Sequence, residues 1–439
     1  MELVKSRALT ATLSTRVSSQ PGAPEFDIEL DKLSSRLDAL EYKSYAGDGT
    51  AAIDKERTRI QEERASLLER SRISDPRWRS LSEPVPFDLK KFLRSLAGRD
   101  QAALSLFIHD DDVTSVLLLG GRCEVGRTPL SPNTKKAFNV YQENLQAKSP
   151  DPQQFDPSEA LKLTADQIVP RVLLEKAISA KSLVVVPHGM LHLLPWAALK
   201  LGQKRLFEYV PVGVLPNLSC ITVLFSESSK RPRVALIGAP DYTGLPGIAA
   251  LALAPYEIAT IADTYRAHAA LICEPYALKE ATEERFWLLS QDKAAANGIL
   301  HVVCHGDFVT GDPMSSGLLL SNGKVDATEL IRKRLPFDEV ILSACATGQR
   351  PVEVQGIPLT GDDIVGLPGA LLEAGARSVL VSIPAARDDA AMHFMTTYHE
   401  YRVEGTPPLP ALQKTQIDML EGQVYEPELW AGFTAYGCQ

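Results

Sequence analysis

Two short apolar runs constrain this chain more than any other feature, because each leads to a reactive residue that is followed by a turn former. Residues 299–303 are Ile, Leu, His, Val and Val, and Cys304, His305 and Gly306 follow them. Residues 340–344 are Val, Ile, Leu, Ser and Ala, and they lead to Cys345, forty positions after His305 (345 minus 305). Runs of this length that are rich in Val and Ile are typical of buried parallel strands.

The carboxyl ends of such strands are where a site is expected. In open α/β sheets, sites form in the crevice outside these strand ends. A His and a Cys that leave two strand ends can meet over one crevice, which is the arrangement that an activated thiol nucleophile needs. A His about 50 residues upstream of an Ala-Cys sequence is also a local signature of caspases. The alternative is that Cys345 is an inert core thiol, as cysteines after apolar runs often are.

Five segments carry a resemblance to a known family, and they occur in that family's order. The segments are residues 184–199, 245–249 with Glu257 nearby, 304–306, 343–348 and 429–433. They resemble, respectively, the entry motif, the Leu-Pro-x-Ala segment (with loose spacing), the His and Cys active-site motifs and the closing Trp-Ala-x-Phe motif of the CHAT family of bacterial caspase-like peptidases. The resemblance covers the chain from about residue 181 to its end.

The resemblance implies a cysteine endopeptidase with a Cys-His dyad. The thiolate of Cys345 would attack the scissile carbonyl, and His305 would accept and return the proton. The oxyanion hole would be the backbone N–H groups of Gly306 and Cys345, and Gly suits this role because it has no Cβ. The sequence indicates no third member of a triad, since Asp307 is near in sequence but is expected to point elsewhere.

Substrate choice is expected to depend on the residues that follow the fifth core strand. Residues 382–390 resemble the family's Ser-Leu-Trp-x-Val-x-Asp segment, with Pro384 and Ala386 in place of Trp and Val. Asp388 falls on the Asp position, and a carboxylate from this region lines the substrate pocket in related caspase-like peptidases. Asp388, with Asp389 as a fallback, therefore predicts Arg or Lys before the cut. The alternative is that Asp388 only caps the following helix.

Nearby His and Cys residues are interpreted as structural. By strand alternation His301 shares a direction with His305, whereas Cys304 points to the opposite face and is expected in the core. His188 and His192 flank the entry motif on a turn and are interpreted as structural or surface groups.

The fold class is α/β, with a caspase-like, mostly parallel sheet that has helices on both faces and is preceded by an N-terminal helical hairpin. Strands and helices alternate from residue 181, which is typical of a parallel sheet. The predicted core strands are residues 183–186, 234–237, 300–304, 340–343 and 378–382. The predicted helices between them include residues 255–266, 282–289 and 368–374.

Four regions are predicted. They are a flexible arm (1–25), a helical hairpin (26–74), an N-terminal α/β part of the CHAT region that is pseudo-caspase-like or accessory (75–180) and a caspase-like catalytic domain (181–439). The hairpin follows from Leu30, Leu33, Leu37 and Leu40, which repeat at three and four before a Gly turn and a second charged helix. Whether it packs on the catalytic domain or docks a partner stays open.

Composition narrows the function classes. A net charge of -9 argues against a nucleic-acid-binding surface. The chain has no long uncharged apolar stretch and no signal-peptide core, which predicts no membrane span and a cytoplasmic protein. Its six cysteines lie far apart and are interpreted as reduced thiols. No motif for a metal, a nucleotide or another cofactor is present.

The favoured function is an intracellular endopeptidase that cleaves a specific protein partner, in a bacterial defence, stress or cell-death pathway. Because the sequence contains no evident sensor domain, a separate activator or sensor protein is expected. The alternative is a catalytically silent scaffold that binds partners through its helical arm. Oligomeric state is left open.

Overall fold

A computed structural model describes most of the chain between residues 51 and 437. The described residues are 29, 32, 33, 36, 37, 40, 51–74, 89–146, 161–218, 220, 232–243, 248–268, 272, 275–291, 297–307, 313–333, 335–344, 353–354, 357–358, 366–383 and 386–437. Several predicted features lie outside them: the arm of residues 1–25, Leu30 of the leucine stripe, residues 245–247 of the Leu-Pro-x-Ala segment, the nucleophile Cys345 with residues 346–348, and the substituted pocket position Pro384.

Eighteen strands are described. They are β1 (Gln101–His109), β2 (Asp112–Leu119), β3 (Arg122–Pro129), β4 (Ser182–Val186), β5 (Lys200–Leu201), β6 (Lys204–Arg205), β7 (Val212–Val214), β8 (Val234–Pro240), β9 (Tyr276–Leu278), β10 (Ile299–Val303), β11 (His305–Asp307), β12 (Gly317–Leu319), β13 (Lys324–Asp326), β14 (Glu339–Ser343), β15 (Glu353–Val354), β16 (Ile357–Pro358), β17 (Ser378–Ser382) and β18 (Phe433–Gly437).

The helices of four or more residues among the described parts of the chain are α1 (Ala51–Ser74), α2 (Leu89–Ala97), α3 (Pro132–Gln146), α4 (Arg171–Ala177), α5 (Ala254–Arg266), α6 (Glu283–Gln291), α7 (Ala327–Lys333), α8 (Leu367–Ala374), α9 (Asp388–Val403) and α10 (Pro408–Gly422), apart from one five-residue 3-10 turn at Gly189–Leu193. None of the described helices is both long enough and apolar enough to cross a membrane.

One sheet of eleven strands forms the centre of the molecule, in the order β3-β2-β1-β4-β7-β18-β17-β14-β10-β8-β9. The pairs β1–β4, β4–β7, β17–β14, β14–β10, β10–β8 and β8–β9 are parallel. The pairs β1–β2, β2–β3 and β17–β18 are antiparallel. Strands β10, β14 and β17 are buried along their whole length, as strands covered by helices on both faces must be. The mostly parallel α/β sheet predicted from the sequence is confirmed.

The five predicted core strands and three predicted helices are all present, with ends that move by at most three residues. The part of the chain before residue 181 departs more. The helical residues between 161 and 180 are interrupted at Pro170, which stands at the N-cap of α4. Strand β3 was not predicted, since it is a largely exposed edge strand with no apolar alternation.

A small second sheet stands beside the carboxyl end of β10. Strand β11 pairs with β12 and β12 with β13, both antiparallel, so that His305 lies opposite Leu319 and Gly306 opposite Leu318. The chain therefore leaves β10 and immediately enters this three-stranded sheet, which carries two of the predicted site residues.

The N-terminal helical hairpin is present. Leu33 and Leu37 lie in its first helical segment and are buried against Ile60 and Leu67 of α1, with Leu40 packed on the same cluster. This cluster is separate from the main core, which is built around the eleven-stranded sheet. The described leucines of the stripe, Leu33, Leu37 and Leu40, thus pack within the hairpin itself.

Candidate active site

The two apolar runs at residues 299–303 and 340–344 correspond to the neighbouring parallel strands β10 and β14. In the pairing of β10 with β14, Val303 lies opposite Ser343, so both strands end at the same level of the sheet. His305 follows β10 by two residues. The chain after β14 is described as far as Ala344, the residue before Cys345.

The ring of His305 is held by a backbone carbonyl. Its Nε2 lies 2.7 Å from the carbonyl oxygen of Ala249, and because a carbonyl only accepts, Nε2 carries the hydrogen. In the neutral imidazole the other nitrogen, Nδ1, is then the one able to accept a proton. The sequence offered no third member of a triad. A backbone atom supplies the orienting contact, and it leaves no signal in residue type.

Tyr242 also fixes His305, and sequence reasoning missed it. The backbone N–H of His305 donates to the Tyr242 hydroxyl at 3.0 Å, and that hydroxyl donates to the carbonyl of Leu319 at 2.8 Å. The two rings lie 5.2 Å apart. Burial raises the pKa of Tyr242 far above its ordinary value, so the hydroxyl stays protonated and able to donate.

Asp307 is committed elsewhere, as expected. Its carboxylate accepts from Nζ of Lys324 at 3.0 Å, across the small sheet, and the Lys324 side chain is only 3% exposed. Between Asp307 and His305 lies Gly306, in the middle of β11.

A small cavity of about 30 Å³ opens where the carboxyl ends of three strands meet. Its lining includes Cys304 after β10, Ser343 and Ala344 at the end of β14, Ser382 at the end of β17 and Asp388. Cys304 is 1% exposed, so the prediction that it is buried is confirmed, but it lies in the cavity wall and not remote from it.

Asp388 and Asp389 lie in the first turn of α9 and differ in their partners. Asp388 lines the cavity, and burial raises the pKa of its carboxyl, with the charge of His305 acting in the opposite direction. Asp389 accepts two hydrogen bonds from Arg387, at 2.6 and 2.9 Å, and this lowers its pKa. The N-cap of α9 is Arg387, so the alternative that Asp388 caps this helix is wrong.

A buried polar chain lies behind the cavity and was not anticipated. Glu257 on α5 also lines the cavity; its Oε1 lies 2.9 Å from Nε2 of His301, and its Oε2 accepts from the Ser343 hydroxyl at 3.2 Å. His301 continues through Nδ1 to Nε2 of His399 at 3.2 Å, and His399 to the Tyr265 hydroxyl at 3.2 Å.

This chain connects two helices to the strand that leads to Cys345. Burial, followed by the neighbouring His301 and Arg402, lowers the pKa of His399 well below its ordinary value, so this imidazole is neutral. The only hint in the sequence was the position of Glu257 near the Leu-Pro-x-Ala segment. His301 is completely buried, in agreement with a structural interpretation.

Within the described part of the chain, no group of three or more His, Cys, Asp or Glu side chains is arranged to hold a metal ion.

Comparison with known proteins gives one family. The model of the CHAT domain matches residues 158–438, which is more than half of the chain. Among curated proteins, none matches the chain significantly.

Several solved structures are similar at low sequence identity. The separase of the Saccharomyces cerevisiae separase–securin complex has a TM-score of 0.49 and 11% identity over 87% of this chain and 33% of that chain. The Arg-specific cysteine proteinase gingipain R has a TM-score of 0.42 and 10% identity over 70% of this chain and 74% of that chain. A complex of the pro- and mature domains of Porphyromonas gingivalis RgpB has a TM-score of 0.38 and 11% identity over 70% and 69% of the two chains. The chain thus spans about a third of the separase that it matches.

Proposed function

Because this chain belongs to the CHAT family, we propose that it is a cysteine endopeptidase that cleaves a specific protein partner through Cys345 and His305. One observation carries the proposal: the two motif-bearing strands are adjacent, parallel and end at the same level, with the His305 ring already oriented by a hydrogen bond. An inert core thiol would not require a histidine oriented at the neighbouring strand end.

In the proposed reaction Nδ1 of His305 takes the proton of the Cys345 thiol, and the thiolate attacks the scissile carbonyl carbon. The N–H groups of Gly306 and Cys345 stabilise the oxyanion that forms, and removing one such donor generally costs about 100-fold or more in turnover. The imidazolium then protonates the leaving amine as the C–N bond breaks. A water molecule hydrolyses the thioester and releases the acid, which restores the thiol.

The residue before the cut is proposed to be basic, with Arg preferred over Lys. Asp388 lines the cavity beside the strand ends, and although the residue is exposed overall, desolvation at the cavity raises the pKa of its carboxyl, so a cation that pairs with it is favoured. The planar guanidinium binds a carboxylate at two points, whereas Lys offers a point charge. Asp389 is the weaker candidate because Arg387 already occupies its carboxylate.

The wider role is proposed as regulated cleavage in a bacterial defence, stress or cell-death pathway, switched on by a separate sensor protein. This part rests on the family and on the helical hairpin, which offers a surface for such a protein. None of the described cysteines, Cys123, Cys220 and Cys304, forms a disulfide, which fits a reducing compartment such as the cytoplasm.

The test is cleavage of a protein or peptide library by the purified protein and by its Cys345→Ala and His305→Ala variants. Each variant should lose nearly all activity, and the double variant should be no slower than either, because residues that act as one unit give non-additive losses. Labelling of Cys345 by a thiol-reactive probe only when His305 is intact would support the dyad. Retained cleavage by Cys345→Ala would exclude this nucleophile, and a folded protein with an unreactive Cys345 would favour the scaffold alternative.

A further inference from the structure

Arg64 joins the N-terminal hairpin to the small sheet that carries His305. It lies in the middle of α1 and is 1% exposed. Its Nη1 donates to Oδ2 of Asp326 at 2.5 Å, and its Nη2 donates to the Ser315 hydroxyl at 2.8 Å and to the Met314 carbonyl at 3.2 Å. A charged side chain from one unit is therefore completely buried in another, 262 positions away along the chain.

Asp326 has two tasks at this contact. It ends β13, and its Oδ1 accepts from the backbone N–H of Glu329, so it caps the first turn of α7. Its Oδ2 receives Arg64. Since a buried carboxylate is costly without a paired cation, the position of β13 and of the α7 start depends on the guanidinium of Arg64.

Strand pairing transmits this position to His305. Asp326 lies opposite Gly317 on β12, and Gly317 lies opposite Asp307 on β11, which is two residues from His305. Strands β12 and β13 are in close contact at this point, since a Cβ added to Gly317 would lie 2.6 Å from the Val325 carbonyl oxygen. Lys324 and Asp307 add a second ion pair across the same three strands.

The described contacts between the hairpin and this sheet region are the polar contacts of Arg64. Its buried leucines and isoleucine form their own cluster, separate from the main core. When the interface between two units of a chain is more polar than a hydrophobic core, the two units can typically move apart. Arg64 thus makes a specific contact that does not belong to a continuous apolar core.

We infer that Arg64 is a positioning residue for the site: the docked hairpin, through Arg64 and Asp326, holds the β11–β13 sheet and with it His305 and Gly306. Loss of this contact lowers turnover by shifting His305 away from the end of β14, although Arg64 itself touches no reacting atom. A protein that displaces the hairpin lowers activity by the same route. The effect on turnover rests on the proposed peptidase function; the coupling between Arg64 and β11–β13 does not.

Hydrogen exchange on the full chain, read by mass spectrometry, tests the coupling without a substrate. In Arg64→Ala, peptides that cover residues 305–307 and 317–326 should exchange at least about tenfold faster than in the native protein. A tenfold change uses only part of the free energy that an unpaired buried carboxylate costs. Peptides from β1–β3 should be unchanged. Arg59→Ala is the matched control, since Arg59 lies on the same helix, is 60% exposed and pairs with Glu56.

Kinetics separate positioning from general stability. In Arg64→Ala, kcat for peptide cleavage per folded molecule should fall at least about tenfold with KM little changed, the pattern of a lost transition-state arrangement. The pH profile of Cys345 alkylation should move to higher pH as His305 leaves the thiol. Adding Asp326→Asn, which keeps the cap on α7 but removes the unpaired charge, should restore part of the loss because the two sites are coupled.

Each outcome decides the inference. Unchanged exchange in β11–β13, or an equal effect of Arg59→Ala, overturns it whatever the protein cleaves. Faster exchange with no cleavage by the native protein keeps the coupling and rejects the peptidase. If Arg64→Ala fails to fold, Arg64→Lys takes its place, since it keeps a charge beside Asp326 but loses the fork to Ser315 and Met314. Faster exchange limited to β11–β13 then supports the inference, and native exchange there rejects it.

Discussion

Asp388 and Asp389 are adjacent in the sequence, yet their carboxylates meet different surroundings. Asp388 is in the wall of the cavity, where desolvation raises its pKa although the residue is exposed overall, while Asp389 accepts two hydrogen bonds from Arg387. A carboxylate whose partner is already present gains little from a substrate cation. The carboxylate of Asp388, whose pKa is raised by desolvation, gains more, because pairing with a cation offsets that desolvation.

A specificity measurement follows from this difference. In a panel of fluorogenic peptides that differ only at the residue before the cut, the native protein should prefer Arg over Lys, and Asp388→Ala should lose that preference. Asp389→Ala serves as the control and should keep it. A preference for Leu or Met in the native protein, or an Arg preference unchanged by Asp388→Ala, would reject the acidic pocket.

Glu329 gives a pH-dependent prediction at the same scale. Burial, with the charges of Asp326 and Glu283, raises its pKa from 4.5 to about 7. A carboxyl with a raised pKa in the folded state stabilises the protein below pH 4.5, and this contribution is lost as the pH rises through 7. A shift of this size corresponds to ~3 kcal/mol.

The native protein should therefore lose free energy of unfolding between pH 5 and pH 8. Urea unfolding should show a smaller loss in Glu329→Gln. The variant should gain stability relative to the native protein at pH 8, where Glu329 is charged. Glu280→Gln, at an exposed position, should leave the native pH dependence in place. The same pH dependence in Glu329→Gln and in the native protein would contradict the assignment.

At the scale of elements, α9 runs from the carboxyl ends of the strands, where the cavity lies, to the amino-terminal end of β14. Its first residue, Asp388, lies at the cavity, and near its other end Arg402 donates to Glu339 at 2.9 and 2.7 Å, where β14 begins. Tyr398 donates to the second oxygen of Glu339 at 2.5 Å. The helix thereby fixes the position of β14 along its own axis relative to the cavity, and β14 is the strand that leads to Cys345.

Replacing Arg402 should be costly for this reason. Arg402 and Glu339 are 2% and 3% exposed, and removing one member of a buried pair costs about 3–5 kcal/mol. Arg266→Ala on α5, whose ion pair with Asp263 is exposed, should cost about 0–1 kcal/mol. Equilibrium urea unfolding of Arg402→Ala and Arg266→Ala makes the comparison, and equal losses would show that the buried pair does not hold the helix.

The whole molecule combines a sheet of eleven strands with a helical hairpin that has its own apolar cluster. Strands β1–β3 extend the same sheet through the parallel pairing of β1 with β4, so the described residues between 89 and 180 share the main core. The hairpin, in contrast, has its own apolar cluster, so its deletion would remove that cluster and leave the main core intact.

Deleting residues 1–74 should leave the sheet folded but alter activation. The far-UV circular dichroism lost should correspond to the hairpin, and the remainder should unfold cooperatively. The deletion should also be less destabilising than Arg64→Ala, because it exposes Asp326 to water, whereas the substitution leaves this carboxylate covered and unpaired. Collapse of the shortened protein, or a lower melting temperature than that of Arg64→Ala, would contradict this account.

Much of the fold could be predicted because its signals are local. The apolar runs at residues 299–303 and 378–382 read as buried strands, and the strands formed there, since burial on both faces requires apolar residues throughout. The hairpin followed from leucines at helical spacing. Strand β3 could not be found this way, because an exposed edge strand needs no apolar side and is held by backbone pairing to β2.

The sequence by itself determined which reactive residues follow the two apolar runs, His305 and Cys345, because the order along the chain and the side-chain chemistry are both written in it. The tertiary structure alone decided what surrounds them: the Ala249 carbonyl at His305, the Glu257–His301 pair behind the cavity and the Arg64–Asp326 contact. The reason is physical. A backbone carbonyl is the same in every residue, and partners 44 to 262 positions apart are brought together only when strands and helices pack.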